Sequence, residues 1–296
     1  MSKINSNKLL ISSDFYSVQG EGISSGIPSY FIRLGHCNLS CGMSRKFTNQ
    51  LLKEQKLEDG EIFEGDLVKE GKATWTCDST SQWLWRGVEQ DFQYLIDRWK
   101  EQGIYDDIKN GTIHIIWTGG EPSLPIHQEA IINFTEYWIS QDTDVERIFD
   151  IVNLKTFERE TKRKTHGFYE IETNGTIYIG DELFEFLNQI NCSPKLSNSG
   201  LDIKQRINPD AIKRIMGHHN YQFKFVISNE EDVKEIFRDF VEPYNIPLKN
   251  IVCMPGLDDV ANFEERTRFV MEMAKKYKFR GMTRLHIAAW NKTLNV

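Results

Sequence analysis

The sequence predicts a parallel α/β fold, a partial TIM-like barrel with helices outside, on three observations. Short apolar runs alternate with amphipathic stretches at least five times along the chain, the pattern of βα units that pair into a parallel sheet. The polar residues that break this pattern fall just after the runs: Arg33, Cys37, Thr118 to Glu121, Thr173 with Asn174, and Ser193 to Lys195. In barrel-like α/β folds that rim carries the chemistry. Finally, 296 residues with 40% apolar content suffice for one substantial core, so a single domain over 1–296 is expected, with charged insertions at 44–73 and 142–166.

Taken in order, residues 1–13 are a polar lead into a short strand. Gln19-Gly20-Glu21-Gly22 sets two bare glycines round an acid, where backbone can approach a ligand closely, although a simple turn reads the same way. After Pro28 the run Ser29 to Leu34 is a buried strand, and Arg33 within it needs an anionic partner, from the protein or from a ligand. Residues 88–102 carry Phe92, Leu95, Ile96 and Trp99 on one helical face, a core stripe that Gly103 ends. Thr112 to Trp117 is a strand, with His114 a packed residue, and it runs into Thr118-Gly119-Gly120-Glu121-Pro122. Bare amides and a carboxylate at a strand end suit a zwitterionic amino-acid group, and a tight turn is the plain alternative. An amphipathic helix follows over 127–141. Phe168 to Thr173 is a strand ending at Asn174-Gly175, residues 183–187 a helix, and the next strand reaches Ser193-Pro194-Lys195. A loop over 196–206 and a short helix lead to the strand 221–227, which has a charge inside it. A helix over 230–240, a strand over 250–254, a last helix over 262–277 and a closing segment over 283–290 complete the chain. His218-His219 lies in a turn after Gly217 and reads as surface.

Cysteine usage narrows the chemistry. Five cysteines, a net charge of −7 and no apolar run of membrane-spanning length describe a soluble, cytoplasmic protein that keeps its thiols reduced and has no nucleic-acid or membrane partner. No secretory leader is visible in MSKINSNKLLISSDF. Cys37 and Cys41 are spaced to point into one loop interior, as metal ligands do. Cys192 and Cys253 end apolar runs, where cysteine behaves as a small hydrophobe. Cys77, between Trp75 and Asp78-Ser79-Thr80, is the third ligand. The charged excursion between Cys41 and Cys77 reads as a short helix plus a turn at Asp59-Gly60. Lengthening that loop roughly twelvefold costs on the order of 2 kcal/mol, less than the bonds of a shared metal group supply.

Together FYSVQGEG, FIRLGHCNLSC, WTCDST, TGGEP, ETNG, SPK, FKFV and RLHIAAW resemble the 7-carboxy-7-deazaguanine synthases, a family of the radical S-adenosylmethionine superfamily. TGGEP and a cysteine triad point only to the superfamily, and FYSVQGEG with the Arg33 strand narrows it. The resemblance implies a radical S-adenosylmethionine core. In it Cys37, Cys41 and Cys77 each bind one iron of a four-iron four-sulfur (4Fe-4S) cluster, and the fourth iron stays open for S-adenosylmethionine. Gly119, Gly120 and Glu121 would hold the methionine amino group, with Thr173, Asn174, Ser193 and Lys195 along the methionine and ribose. The implied reaction converts 6-carboxy-5,6,7,8-tetrahydropterin to 7-carboxy-7-deazaguanine and ammonia, by hydrogen abstraction with a 5'-deoxyadenosyl radical and ring contraction. It serves synthesis of 7-deazapurines such as the queuosine precursor. Arg33 would then meet the substrate carboxylate, with Gln19, Glu21, Thr118 and His286 around the pterin.

Further implications are a magnesium ion (Mg2+) on the hydroxyl of Ser79, or of Thr80, an electron donor such as flavodoxin or ferredoxin, and a homodimer. Ser79 stands where the family has Thr. Residues 42–76 stand where the family usually has two, and His36 where glycine is common. Two other functions share these features. A glycyl-radical activase would use the same cluster but has no need of Gln19-Gly20-Glu21 and Arg33. A non-catalytic zinc protein would use the three cysteines with His36, yet His36 and Cys37, being adjacent, diverge along an extended chain.

Overall fold

The computed structural model describes residues 7–43, 46, 49, 73–75, 77, 79, 87–141, 148–152, 159–163, 166–256, 261–291 and 293. Strand β1 (Lys8–Val18) pairs antiparallel with β2 (Pro28–Leu34) on one side and with the edge strand β3 (Val88–Asp91) on the other. Beyond β2 every pairing of the large sheet is parallel, beginning with β4 (His114–Gly119). Strands β5 (Ile148–Val152) and β6 (Arg159–Arg163) form a separate antiparallel pair. The large sheet continues through β7 (Tyr169–Thr173), β8 (Gln189–Cys192), β9 (Tyr221–Ile227), β10 (Ile251–Pro255) and the two-residue β11 (Arg280–Gly281). Its nine strands lie in the order β11-β10-β9-β8-β7-β4-β2-β1-β3.

From β2 to β11 the parallel strands sit side by side in chain order. Right-handed crossovers in that order put the helices that connect these strands on one face, and the sheet coils round the other as a partial barrel that stays open. The helices are α1 (Phe92–Glu101), α2 (Tyr105–Asn110), α3 (Pro125–Ser140), α4 (Asp181–Phe186), α5 (Ile203–Arg206) and α6 (Pro209–Met216). They continue with α7 (Glu230–Ile236), α8 (Glu242–Tyr244), α9 (Phe263–Tyr277) and α10 (Leu285–Trp290). Local chemistry sets their ends. Asn208 caps α6 by accepting from the amides of Asp210 and Ala211, with Pro209 in the first turn. Asn229 and Asp232 close a reciprocal capping box on α7.

Alternate residues of the strands divide the interior. Tyr30, Ile32, Leu34, Ile115, Trp117, Ile171, Ile190, Phe223, Phe225 and Ile251 join one buried cluster with Trp99, Phe134 and Trp138 of the helices. Trp117 meets Phe134 edge-on at 5.6 Å and Trp99 meets Trp138 at 4.9 Å. The other alternates, among them Arg33, His114, Thr118, Glu170, Glu172, Gln189, Asn191, Gln222 and Lys224, lie outside that cluster, on the inner face.

Several local expectations change. Residues 88–91 are not the first turn of the helix, because they pair with Lys8 to Ile11 as an edge strand. The charged stretch 142–166 contains the β5–β6 hairpin, in keeping with its Ile-Phe-Asp-Ile-Val run. The segment after α9 includes α10, so α9 is not the last helix. His218 is buried rather than on the surface, with Nδ1 2.7 Å from the Asn220 carbonyl and Nε2 3.0 Å from that of Leu187, while His219 beside it is exposed. Of the stretch 44–73 only Lys46 and Asn49, both helical, and Ala73 are described, and the turn expected at Asp59-Gly60 lies outside the described residues. Among the described residues no helix is long and apolar enough to cross a membrane.

Candidate active site

Two glycines bring the first two parts of the site together. Gly119, at the end of β4, has φ +106°, and a Cβ there would lie 2.4 Å from the Leu34 amide nitrogen. A Cβ on Gly120 would lie 1.7 Å from the His36 carbonyl oxygen. Bare backbone therefore allows Gly120 N–H to donate to Leu34 (2.9 Å) and Glu121 N–H to donate to His36 (2.9 Å). The turn after β4 and the cysteine loop after β2 thus lie backbone to backbone. His36 itself has φ +64°, the left-handed conformation that favours glycine.

Glu121 is fully buried. It accepts from Ser123 N–H (3.0 Å), Ser123 Oγ (2.6 Å), Thr173 Oγ1 (2.7 Å) and Asn174 N–H (2.7 Å). The carboxylate therefore welds the end of β4 to the end of β7. Asn174 continues the link, donating through Nδ2 to Asn38 Oδ1 at 3.0 Å and lying 4.0 Å from Cys37 Sγ. Ser193 N–H donates to the Thr173 carbonyl (2.7 Å), and Lys195 Nζ lies 3.4 Å from Ser193 Oγ and 5.8 Å from the centre of the Trp75 ring.

The structure brings Cys77 back to the first two cysteines. Its N–H donates to the Cys41 carbonyl at 3.3 Å, and Cys37, Trp75 and Cys77 pack against a small cluster of Leu39, Cys41 and Leu201. The returning segment is docked on the turn Ser197–Ser199, through Trp75 Nε1 to Asn198 Oδ1 (2.9 Å) and Thr74 N–H to the Asn198 carbonyl (2.9 Å). Burial, followed by the Glu121 carboxylate, pushes the Cys37 thiol up, so a thiolate here calls for a bound cation. Three soft donors around one loop interior fit an iron–sulfur cluster. Among the described residues, no group of three His, Cys, Asp or Glu side chains is placed to hold a single metal ion. Cys192 and Cys253 are fully buried in the main core, not in the small cluster around Cys37, Cys41 and Cys77. Ser79 is half-buried in a turn, and Thr80 lies outside the described residues.

Below the rim, residues 19–22 fold across the inner face. Gln19 Nε2 donates to Glu172 Oε1 (3.2 Å), and its Oε1 accepts from Glu21 N–H (3.1 Å). Glu21 accepts from Lys224 Nζ (2.6 Å) and Arg284 Nε (2.7 Å). Burial opposes its charge, but Lys224, Arg284 and His286 outweigh burial and hold the carboxyl well below its ordinary range. Lys224 is likewise buried, yet Glu172 and Glu21 hold its ammonium above its usual value. Thr118 Oγ1 donates to Glu172 Oε2 (2.8 Å) and sits opposite Arg33 in the β2–β4 register. The Arg33 guanidinium lies 4.8 Å above the Phe15 ring. His286 packs on Gly20, where a Cβ would come within 2.2 Å of its Nδ1, and Leu285 N–H donates to the Gly20 carbonyl (2.9 Å).

Gln19, Glu21, Arg33, Thr118 and His286 thus share one polar face below the cysteines. Lys224, Glu172 and Arg284, which complete it, lie in the FKFV, ETNG and RLHIAAW segments, but none of them is given a role from the sequence alone. Their signal is present as period-two polarity, with Glu170 and Glu172 or Gln222 and Lys224 alternating with apolar residues along otherwise buried strands.

The chain is similar to the 7-carboxy-7-deazaguanine synthase of Pyrobaculum aerophilum, 26% identical over 277 residues that span 93% of this chain and 92% of that one. It is similar to the protein of the same description from Clostridium acetobutylicum, 26% identical over 290 residues and 94% of each chain. No family model matches. Among solved structures, QueE from Escherichia coli shares the fold with a TM-score of 0.55 at 20% identity, over 94% of this chain and 95% of that one.

Proposed function

We infer that the protein is a 7-carboxy-7-deazaguanine synthase, a radical S-adenosylmethionine lyase that converts 6-carboxy-5,6,7,8-tetrahydropterin to 7-carboxy-7-deazaguanine and ammonia. The near full-length likeness to synthases of that description supports the reading. The observation that carries it is the return of Cys77 to Cys41 and Cys37 across residues 42–76, above a face lined by Gln19, Glu21, Arg33 and Thr118.

In this reading Cys37, Cys41 and Cys77 hold the 4Fe-4S cluster, and the strand ends carrying Gly119, Gly120, Thr173, Asn174, Ser193 and Lys195 line S-adenosylmethionine. When bound, the two supply the 5'-deoxyadenosyl radical that removes a substrate hydrogen. Glu121 keeps those strand ends together. Arg33 supplies a guanidinium for the substrate carboxylate, and the ring stacked under it limits its swing. Glu21 already accepts one donor on each oxygen, and each oxygen retains a lone pair for a pterin N–H. Lys224 and Arg284 keep that carboxylate ionised and aimed, and Gln19 offers amide groups beside it. His286 and α10 close the turn over the face and limit water access. A magnesium ion would take the hydroxyl of Ser79 or Thr80 with oxygens of substrate and water. The same reading brings an electron donor such as flavodoxin or ferredoxin, a homodimer and a cytoplasmic location.

Oxygen-free reconstituted protein, incubated with the pterin, S-adenosylmethionine, magnesium and a reductant, should yield 7-carboxy-7-deazaguanine by mass analysis. Absence of that product with an iron-loaded protein would overturn the reading. Cys77→Ala should lose the iron, whereas Cys192→Ala should keep it. Arg33→Ala should keep the iron and weaken pterin binding by at least about tenfold, the loss of one charge-assisted contact.

A further inference from the structure

Beneath the tier of Glu21 and Lys224 the inner face carries a second polar layer, which the proposed reaction does not use. Glu170, Gln189, Asn191 and Gln222 are all buried there. Glu170 Oε1 lies 2.5 Å from Nδ1 of His114, and Oε2 accepts from Asn191 Nδ2 (2.7 Å) and Gln189 Nε2 (3.0 Å). A carboxylate only accepts, so Asn191 must turn its NH2 toward it. Asn191 Oδ1 then faces the other way and accepts from Gln189 Nε2 (2.7 Å) and Gln222 Nε2 (2.6 Å). That in turn aims Gln222 Oε1 at the N–H of Ile23, 3.1 Å away. Gln189 Nε2 also reaches Ser24 Oγ (2.8 Å). Gln222 fits tightly under the turn, since a Cβ on Gly22 would lie 2.1 Å from its Nε2.

One acceptor at the base of the barrel therefore fixes the direction of every amide up to the turn that carries Gln19 and Glu21. We propose that Asn191 and Gln222 are substrate-positioning residues. They pass the hydrogen-bond polarity set by Glu170 to the Ile23 N–H, and so hold residues 19–22 in the register that presents Gln19 and Glu21 to the pterin. The proposal rests on the substrate-binding reading of that turn. A buried polar chain is worth most when each member is satisfied in one direction, and reversing one link leaves two acceptors or two donors face to face.

The test compares Gln222→Met, Asn191→Asp, Glu170→Gln and the double variant Glu170→Gln/Asn191→Asp in the iron-loaded protein. Two readouts are used: amide hydrogen exchange of the peptide covering residues 19–26, and binding of 6-carboxy-5,6,7,8-tetrahydropterin. Gln222→Met removes the last link and should speed exchange and weaken pterin binding about tenfold each, with kcat at saturation nearly kept. Asn191→Asp sets a second carboxylate against Glu170 and should do the same at pH 8. Glu170→Gln alone should change little, because its carbonyl can still face Asn191 and its amide can face His114. In the double variant the amide at position 170 donates to the carboxylate at position 191, so a donor again meets an acceptor at that link while position 191 still accepts from Gln222, and both readouts should return to near the native values. Iron content and melting temperature report on folding. Should Asn191→Asp not fold, Gln222→Met still decides, since native exchange or native pterin affinity in it would overturn the proposal. A defect in Asn191→Asp that Glu170→Gln fails to repair would also overturn it, leaving Asn191 a packing residue. If exchange responds as expected but the native protein does not bind the pterin, the relay stands and the substrate reading falls.

Discussion

Lys224 and Phe225 are neighbours on β9 and face opposite sides of one sheet, which are built on different physics. Phe225 is fully buried among helices and meets Phe240 at 5.0 Å. Lys224 is almost as buried, but it is held by two directed contacts, to Glu21 (2.6 Å) and Glu172 (3.3 Å). Apolar packing is additive over area and indifferent to partner identity. A buried charge is acceptable only while each counter-charge stays in place. The outer face therefore supplies stability, and the inner face spends some of it to hold fixed charges where a ligand can meet them.

The largest effects should come from breaking each side at these two positions. Phe225→Ala leaves a cavity and should cost about 3–5 kcal/mol of unfolding free energy. Lys224→Met takes the Lys224 ammonium from Glu172 and leaves Glu21 with Arg284 and His286, and should cost a similar ~3–5 kcal/mol. The two should differ in how they are repaired. Adding Glu21→Gln to Lys224→Met should recover a substantial part of the loss in urea unfolding, whereas adding it to Phe225→Ala should recover nothing. Near-native stability in Lys224→Met would mean that the inner-face charges are well solvated and do not constrain one another.

A smaller, signed effect separates the faces by pH. The native Glu21 carboxyl lies well below its ordinary 4.5, so its contribution is fully present above pH 4.5 and is lost as pH falls through the native value. Lys224 lies above its ordinary 10.5, so its contribution is complete below pH 10.5 and is lost as pH rises toward the native value. The stability difference between native protein and Glu21→Gln should therefore shrink on acidification below pH 4.5. The difference between native protein and Phe225→Ala should stay level across the same range. A level difference for Glu21→Gln would remove the ion pair from the account of the inner face.

The same contrast governs what can be read from sequence. The outer face is legible because periodicity alone identifies it: Phe92, Leu95, Ile96 and Trp99 mark α1, and the apolar alternates of β9 mark its strand. Of the inner face, only residues in recognisable local clusters stand out, such as the glycine turn at 19–22 and the run at 118–121. Lys224 is visible as a charge in a strand, but its partners are 203 and 52 residues away along the chain. No local pattern encodes such a pairing. The β3 edge reads as helix because Val88 to Asp91 has no apolar alternation, and its partner Lys8 to Ile11 lies far upstream. The closeness of Gly120 to His36 is likewise invisible, although the Gly-Gly pair announces that something must come close.

That contact gives the smallest effect, and the one that bears most directly on the rim. His36 adopts φ +64° between β2 and Cys37, and its carbonyl accepts the Glu121 N–H at 2.9 Å. A left-handed backbone costs an ordinary L-residue roughly 1–2 kcal/mol. His36→Gly removes that cost, offset by the greater freedom of glycine in the unfolded chain, roughly 0.5–1 kcal/mol. The net expectation is a gain of about 0.5–1 kcal/mol in urea unfolding, with iron content unchanged, because the carbonyl that meets Glu121 belongs to the backbone. A loss of stability instead would show that the imidazole contributes more than the backbone strain takes away. The histidine would then be a functional part of the cysteine loop rather than a tolerated stand-in for glycine.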